Sequence, residues 1–392
     1  MNFLRVILAG GLLLAGSPAH AVYAPVPEQE QGKSLVLSVR SGLSYDTNLF
    51  GAAAKNVESS VFQIAPKAAY NASLTDQTFL ALSYQLTVDH FDNRPGDKTL
   101  DSHEVSARVA HAFSEATNLD VLEVFQASRN PESLLSGAPI NSDQSNNRNE
   151  INVTFFTAPT AKTGLTVKAR TANTDFRDAV LSRSLDRTEN LFGVSGSYAV
   201  LPEVKAVAEA RHQDVFYRKL GESKNKASDY LMAGLDYAFA KKFTASARVG
   251  SEWRHRDAER STNSPYAEVS VKYDYTESSF LSGGFMSTLE ETSDTARFTD
   301  SNVNRVFVTV QHHLTALIAV SGSFTYEAAV LQGRRGVSDT DEDTVRAGAA
   351  LSYLPTKNWT VSASYDLDQV KSGDRSREMV RHRVGVSARY AF

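Results

Sequence analysis

Residues 359–368 read Trp359-Thr360-Val361-Ser362-Ala363-Ser364-Tyr365-Asp366-Leu367-Asp368. Odd positions are apolar or aromatic and even positions are polar. Side chains two residues apart share one face of a strand, so this run is a β-strand with one greasy face and one wet face. The pattern recurs along the chain. Val269, Val271 and Tyr273 oppose Glu268, Ser270 and Lys272; Val320, Phe324 and Tyr326 oppose Ser321, Ser323 and Thr325; Ala347, Ala349 and Leu351 share a face opposite Arg346.

Such runs predict 18 strands near 34–45, 60–71, 78–90, 102–113, 118–128, 149–158, 163–175, 188–199, 204–216, 228–239, 243–255, 265–275, 279–290, 302–314, 317–329, 343–354, 359–369 and 380–392. Two of them are blurred: Glu123 falls in phase with Val121 and Phe125, and Leu191 sits beside Phe192. The connections alternate in length. Short ones such as Ala240–Lys242 and Pro355–Asn358 separate long polar ones such as Asp46–Ser59, Arg129–Arg148 and Val330–Glu342. An even-stranded antiparallel membrane barrel has this asymmetry, with short periplasmic turns and longer extracellular loops. The expected fold is therefore all-β: a single transmembrane, antiparallel, up-and-down β-barrel of 18 strands with periplasmic termini.

Soluble barrels alternate too, but two features point to a membrane. A closed barrel of this many strands is too wide for side chains to fill, so its interior is aqueous and its apolar rows face outward. Aromatic residues crowd the short turns, among them Tyr70, Phe113, Tyr198, Tyr237, Phe239, Phe243, Tyr273, Tyr275, Phe280, Tyr353 and Trp359. A girdle of rings at one interface is what a membrane barrel needs. The chain ends on Val384, Val386, Ala388, Tyr390 and Phe392, alternating to a terminal Phe. Tyr390 and Phe392 are the expected signal for the barrel-assembly machinery.

The N-terminus fits export. Arg5 precedes an apolar stretch, Val6–Gly16, too short to span a bilayer as a helix, and Ala19-His20-Ala21 has the small-x-small form of a cleavage site. Residues 1–21 are read as a cleavable signal peptide, 22–33 as a short periplasmic tail, and 34–392 as the barrel. The net charge of −4 offers no concentrated basic surface, so nucleic acid is not an expected partner. The absence of cysteine excludes disulfides and thiolate metal sites. No G-x-S-x-G or H-E-x-x-H motif occurs, and the nine histidines are scattered. No enzymatic activity, cofactor or metal is expected. The acidic run Ser338–Thr344 could bind calcium, but it lacks the glycine and terminal Glu of a calcium loop and reads better as a solvated loop. Arg334 and Arg335 are placed to meet lipopolysaccharide phosphates.

The wet rows carry both signs of charge. Candidate lumen-lining groups are Arg40, Arg108, Lys168, Arg170, Arg211, Arg248, Lys272, Arg346, Arg383 and Arg389, with Glu104, Glu209, Glu252, Glu268, Asp274, Glu327, Asp366 and Asp368. A hydrated, selective wall and a set of cross-strand ion pairs that prop the barrel open are both consistent with them.

Tyr45-Asp46-Thr47-Asn48-Leu49-Phe50 closes the first strand. It resembles the Y-D-x-N-[LV]-[FY] segment near the start of the type 2 β-barrel porins, outer-membrane barrels often encoded beside exopolysaccharide synthesis genes. In residue terms, Asp46 and Asn48 suit a strand-to-loop turn that they cap with their side chains. The resemblance implies a Gram-negative outer-membrane conduit that takes part in exopolysaccharide export, with polysaccharide and periplasmic export components as partners beside lipid and lipopolysaccharide. The alternatives are a general or solute-specific diffusion porin, and a structural or adhesive barrel whose lumen is blocked by its loops. The long connection 129–148 is the expected constriction or plug.

Overall fold

A computed structural model describes residues 34–129, 145–219, 224–240, 242–257, 260–292, 294 and 297–392. The signal peptide, the N-terminal tail and residues 130–144 of the expected plug lie outside the described residues. The strands are β1 (Leu35–Asp46), β2 (Ser59–Thr75), β3 (Thr78–Phe91), β4 (Thr99–Ser114), β5 (Thr117–Ser128), β6 (Asn146–Thr160), β7 (Thr163–Phe176), β8 (Arg187–Ala199), β9 (Val204–Tyr217), β10 (Lys226–Phe239), β11 (Phe243–Arg256), β12 (Thr262–Asp274), β13 (Phe280–Glu290), β14 (Phe298–His313), β15 (Ile318–Gly333), β16 (Thr340–Tyr353), β17 (Trp359–Ser372) and β18 (Met379–Ala391). A short helix, α1 (Ala179–Leu185), stands in the connection between β7 and β8.

These strands form one 18-stranded sheet. Each pairs antiparallel with its neighbours in sequence, and β1 pairs with β18 from Ser38↔Ala391 to Asp46↔Arg383. The sheet is thus a closed, up-and-down barrel with no free edge strand. Closure follows from the solvent: in hydrocarbon an unpaired N–H or C=O costs several kcal/mol, about what several good contacts return.

All 18 expected strands are present, but many run further at the long-loop rim. Strand β14 starts at Phe298 instead of 302, β15 reaches Gly333 instead of 329, β16 starts at Thr340 instead of 343, and β17 reaches Ser372 instead of 369. Beyond the lipid both faces meet water. The ladder continues there while the apolar alternation that marks it in sequence fades.

The outward rows are apolar: Leu43, Leu231, Val249, Val269, Val306, Val308, Phe324, Leu351 and Val386 are all exposed. Inside a soluble body such side chains would be buried; here they form the lipid-facing wall. The blurred strands resolve simply. Phe192 is outward and 52% exposed while Leu191 is inward and buried. Glu123 does share the outward face with Phe125, where the Asn149 amide donates to its carboxylate at 3.2 Å.

Rings pack side by side along the short-turn rim. Tyr237–Phe243, Phe243–Tyr273 and Tyr273–Tyr275 have centroids 5.8, 6.5 and 6.0 Å apart, and Trp359–Tyr390–Phe392 continue the belt at 5.0 and 4.9 Å. Phe280 is an exception to the expected girdle: its register partner is Asp274, and it points inward, where Lys272 lies 5.3 Å from its ring centroid. A second belt sits higher, where outward tyrosines meet polar groups. Tyr84 and His103, Tyr365 and His382, and Tyr326 and Asp343 are hydrogen-bonded at 3.0, 2.9 and 2.8 Å. The two belts bracket the band that lipid covers.

That band sets a test. Val308→Arg places a guanidinium near the middle of the lipid-facing wall and should cost about 2–4 kcal/mol of barrel stability. Thr309→Arg, facing the lumen, should cost far less. Urea titration in detergent or lipid, read by heat-modifiable gel migration, compares them.

A charged lumen narrowed by an infolded hairpin

The inward face is mostly polar, with Leu191 and Phe280 among the apolar exceptions. Near the short-turn rim hydroxyls face one another across strands: Ser83–Ser106, Ser246–Ser270 and Ser352–Ser362 lie 2.7, 2.8 and 3.0 Å apart. Charged pairs begin beside the short turns, as Lys272–Asp274 shows, and continue to the long-loop rim.

The charged residues expected to line the lumen lie in register on this inward face. Arg40 donates to Gln63 at 2.8 Å, Gln126 donates to Glu104 at 2.9 Å, and Arg389 donates to Ser38 at 3.1 Å. Arg108 pairs with Asp120 at 2.9 Å, Arg383 with Asp368 at 3.1 Å and Lys272 with Asp274 at 2.8 Å. Arg346 lies opposite Asp368 in the ladder, Asp366 opposite Arg383, and Lys168 opposite Gly193. Arg170 approaches Glu189 at 3.7 Å, and Glu327 holds Arg305 at 2.7 Å. A denser cluster joins Arg211 to Glu209 at 2.6 Å and to the Tyr266 hydroxyl at 3.1 Å, with Glu268 at 3.8 Å. Arg248 bridges Asp236 at 2.7 Å and Glu209 at 3.8 Å.

Glu252 leads to a feature that the sequence left hidden. It is fully buried and holds Arg254 at 2.7 Å. Both side chains start on β11, yet they bond to β13. The Leu289 N–H donates to Glu252 Oε2 at 3.4 Å, and Arg254 donates to the Leu289 carbonyl at 2.9 Å. One strand further on, Asp300 of β14 accepts from Lys226 at 2.8 Å and Arg254 at 2.5 Å, and also pairs with Arg256. Lys226 begins β10, four strands away. At about 4.8 Å per strand that is about 19 Å along a round wall, too far for the two side chains to span. The upper part of the β13–β14 hairpin is therefore bent into the lumen and lies against the inner face of β10 and β11.

Three local features accompany the bend. Strand β12 pairs with β13 only as far as Ala267↔Ser287; above that, Pro265 has no N–H to give. Gly283 and Gly284 lie below the split, still paired with Val271 and Ser270, and a Cβ on Gly284 would come within 2.3 Å of the Val269 carbonyl oxygen. A bulge between Phe298 and Asp300 turns both Asp300 and Ser301 into buried positions. The tip of the hairpin is held as well. Glu291 accepts from the Tyr217 hydroxyl at 2.5 Å and pairs with Lys226 at 2.6 Å. Arg297 bridges Asp294 at 2.5 Å and Asp374 at 2.6 Å, tying this connection to the one between β17 and β18.

Loop charges respond accordingly. Burial opposes ionisation of Glu291, but Lys226, Arg254 and Arg187 outweigh it and hold the carboxyl down at about 2. Hydrogen bonds from Arg297 and Ser376 hold Asp374 at about 2 as well.

The hexapeptide 45–50 builds another part of the mouth, where β1 meets β18. Tyr45 faces outward and donates to Glu58 at 2.6 Å. Asp46 faces in, buried, and takes Arg381 of β18 at 3.0 Å while also accepting from the Asn48 N–H at 2.9 Å. The Asn48 amide donates to the Ala52 carbonyl at 2.8 Å and the Val380 carbonyl at 3.2 Å. Leu49 then packs inside the mouth with Val61, Phe91 and Leu100, with Phe50 against them. The turn-capping role expected for Asp46 and Asn48 is thus joined by one that sequence could not give: they fasten the first strand and its loop to the last strand.

The acidic run, expected as a solvated loop, is strand from Thr340 onward. Its residues alternate at the start of β16, where Glu342 turns inward to Arg377 at 2.9 Å and Asp343 turns outward to Tyr326. Among the described residues no group of three or more His, Asp or Glu is arranged to hold a metal. A hollow of about 300 Å³ lined by Ile151, Ala169, Phe192 and His212 lies on the lipid-facing wall, apart from the lumen.

Comparison with known proteins agrees with this geometry. The family model described as "Putative beta-barrel porin 2" matches residues 35–392. The chain belongs to that family. Porin 2 membership spans the whole described barrel, including the hexapeptide. Among solved structures, a BenF-like porin from Pseudomonas fluorescens Pf-5 is similar at 10% identity and a TM-score of 0.52, over 92% of this chain and 99% of that one. OpdK from Pseudomonas aeruginosa, solved with vanillate, is similar at 10% identity and a TM-score of 0.49, over 91% and 99%. At such identities the likeness concerns the fold. No curated protein matches the sequence. This porin 2 barrel has the porin-like fold typical of outer-membrane proteins.

Two outcomes follow for the mouth. Asp46→Ala leaves Arg381 buried without its main partner and should lower stability by about 3–5 kcal/mol, measured by urea unfolding. The carboxyls of Glu291 and Asp374 lie below the ordinary carboxylate range, so their contribution is complete above about pH 4 and is lost as pH falls toward about 2. Hydrogen exchange over 291–297 should accelerate only in that lower window.

Proposed function

We propose that the protein is an outer-membrane conduit that carries a hydroxyl-rich polymer, an exopolysaccharide, outward through its hydrated lumen. The short-turn rim with both termini then faces the periplasm. The observation that carries this reading is the charge balance of the lumen: among the described residues, guanidinium and carboxylate groups stand in opposite-sign pairs with no single-sign ring, interleaved with rows of serine pairs. A single-sign ring selects small ions. A balanced wall of donors and acceptors instead exchanges hydrogen bonds with a neutral or weakly charged chain at each step, without trapping it. The hexapeptide's resemblance to barrels encoded beside exopolysaccharide synthesis genes supports the same reading.

Passage is passive in this scheme. Periplasmic export components supply direction, lipopolysaccharide surrounds the outer rim, and the barrel-assembly machinery inserts the chain by its last strand. The bent hairpin narrows the mouth, which favours this role over an always-open diffusion porin.

Deleting the gene should abolish surface polysaccharide while leaving its precursors inside the cell, as read by carbohydrate blotting. Intact polymer at the surface of the deletion strain would overturn the proposal. Liposome swelling with small sugars checks the porin alternative: the purified wild-type barrel should admit them slowly.

A further inference from the structure

The bent hairpin leaves two strand edges facing one another without backbone pairing. On β12, Thr262–Tyr266 pair with β11 alone; on β13, Thr288–Glu290 pair with β14 alone. The register below the split continues without a shift to Ser264 opposite Glu290. What holds the edges apart is made of side chains: Glu252 and Arg254 occupy the Leu289 N–H and C=O that would otherwise meet β12. Lys226, Arg254 and Arg256 hold Asp300, and Lys226 holds Glu291.

We propose that the upper β13–β14 hairpin is a gate. The bent position is its closed state, and the open state is reached when the hairpin swings outward about Ser287–Thr288, where its pairing with β12 ends, and zips onto the free edge of β12. Zipping lets the Leu289 N–H exchange Glu252 for the carbonyl of Pro265, its partner in the continued register, while the Leu289 carbonyl exchanges Arg254 for lumen water. It separates Asp300 from Lys226 and Arg254, and it returns the wall to a round section with a wider lumen. The Leu289 N–H thus has a protein acceptor in each end state, Glu252 or Pro265, and none between them, which makes the hairpin a two-state element instead of a graded deformation. Pro265 keeps the ladder at the lip one bond short, so zipping remains reversible. The proposal rests on the conduit reading only for what passes; the movement stands without it.

The test uses the absence of native cysteine. The pair Ser264→Cys/Glu290→Cys brings two thiols together only in the zipped state. Oxidation in lipid should form the disulfide, seen by peptide mass spectrometry, and should fix single-channel recordings at a conductance several-fold above the resting level, reversed by reductant. Asp300→Asn should raise the fraction of time spent at that same level; if it fails to insert, Lys226→Met serves in its place. A folded barrel that forms no 264–290 disulfide, or one that forms it and conducts as before, overturns the gate. Because the disulfide is read without any solute, loss of the gate is distinct from loss of the polysaccharide role.

Discussion

The governing constraint is that backbone polar groups have no partner in lipid except one another. It requires a sheet whose last strand pairs with its first, and the ladder from Ser38↔Ala391 to Asp46↔Arg383 meets that requirement. Once the sheet is closed, its two faces meet different solvents. The outward rows become Val, Leu, Ala and rings. The inward rows, in an interior too wide to fill, become Ser, Arg, Glu and Asp. Fold, alternation and wet lumen are thus consequences of one fact about hydrogen bonds.

The lumen uses charge in a way that a soluble core does not. Glu252, Glu327 and Asp300 are almost wholly buried, yet each sits against one or more guanidinium or ammonium groups. Burying such pairs gains little net stability, since desolvation offsets attraction. What they supply is position. Paired charges keep long side chains at fixed places on a wall that has no packed core behind it. In this barrel they also hold one hairpin away from the wall.

Most of the barrel was legible in sequence. Strands such as 359–369 could be found because lipid on one side and water on the other force a period of two. The hexapeptide pointed to the family. What escaped notice lies where that forcing stops. Asp300 and Glu291 fell in a stretch that carries no alternation and so looked like loop, although Asp300 is in a strand. Arg254 was in phase with the wet face and Lys226 fell in the connection before the expected strand 228–239, and nothing around either said that they would bond to β13 and β14. The one local trace was Gly283-Gly284 inside an otherwise regular run, a pair that a plain strand has no use for. Phe280 was assigned to the girdle from its position near a turn, whereas its pairing with Asp274 puts it inside.

The fastening of Asp46 to Arg381 has a consequence for the order of events during folding. The partners are separated by 335 residues, so this contact can form only after nearly all of the chain has been placed. Contacts of such long sequence separation are late ones. Loop 1, whose Asn48 reaches the Val380 carbonyl, cannot settle until the final strand arrives. The mouth of the barrel is therefore shaped last, and its finished form records that the two ends of the polypeptide have met.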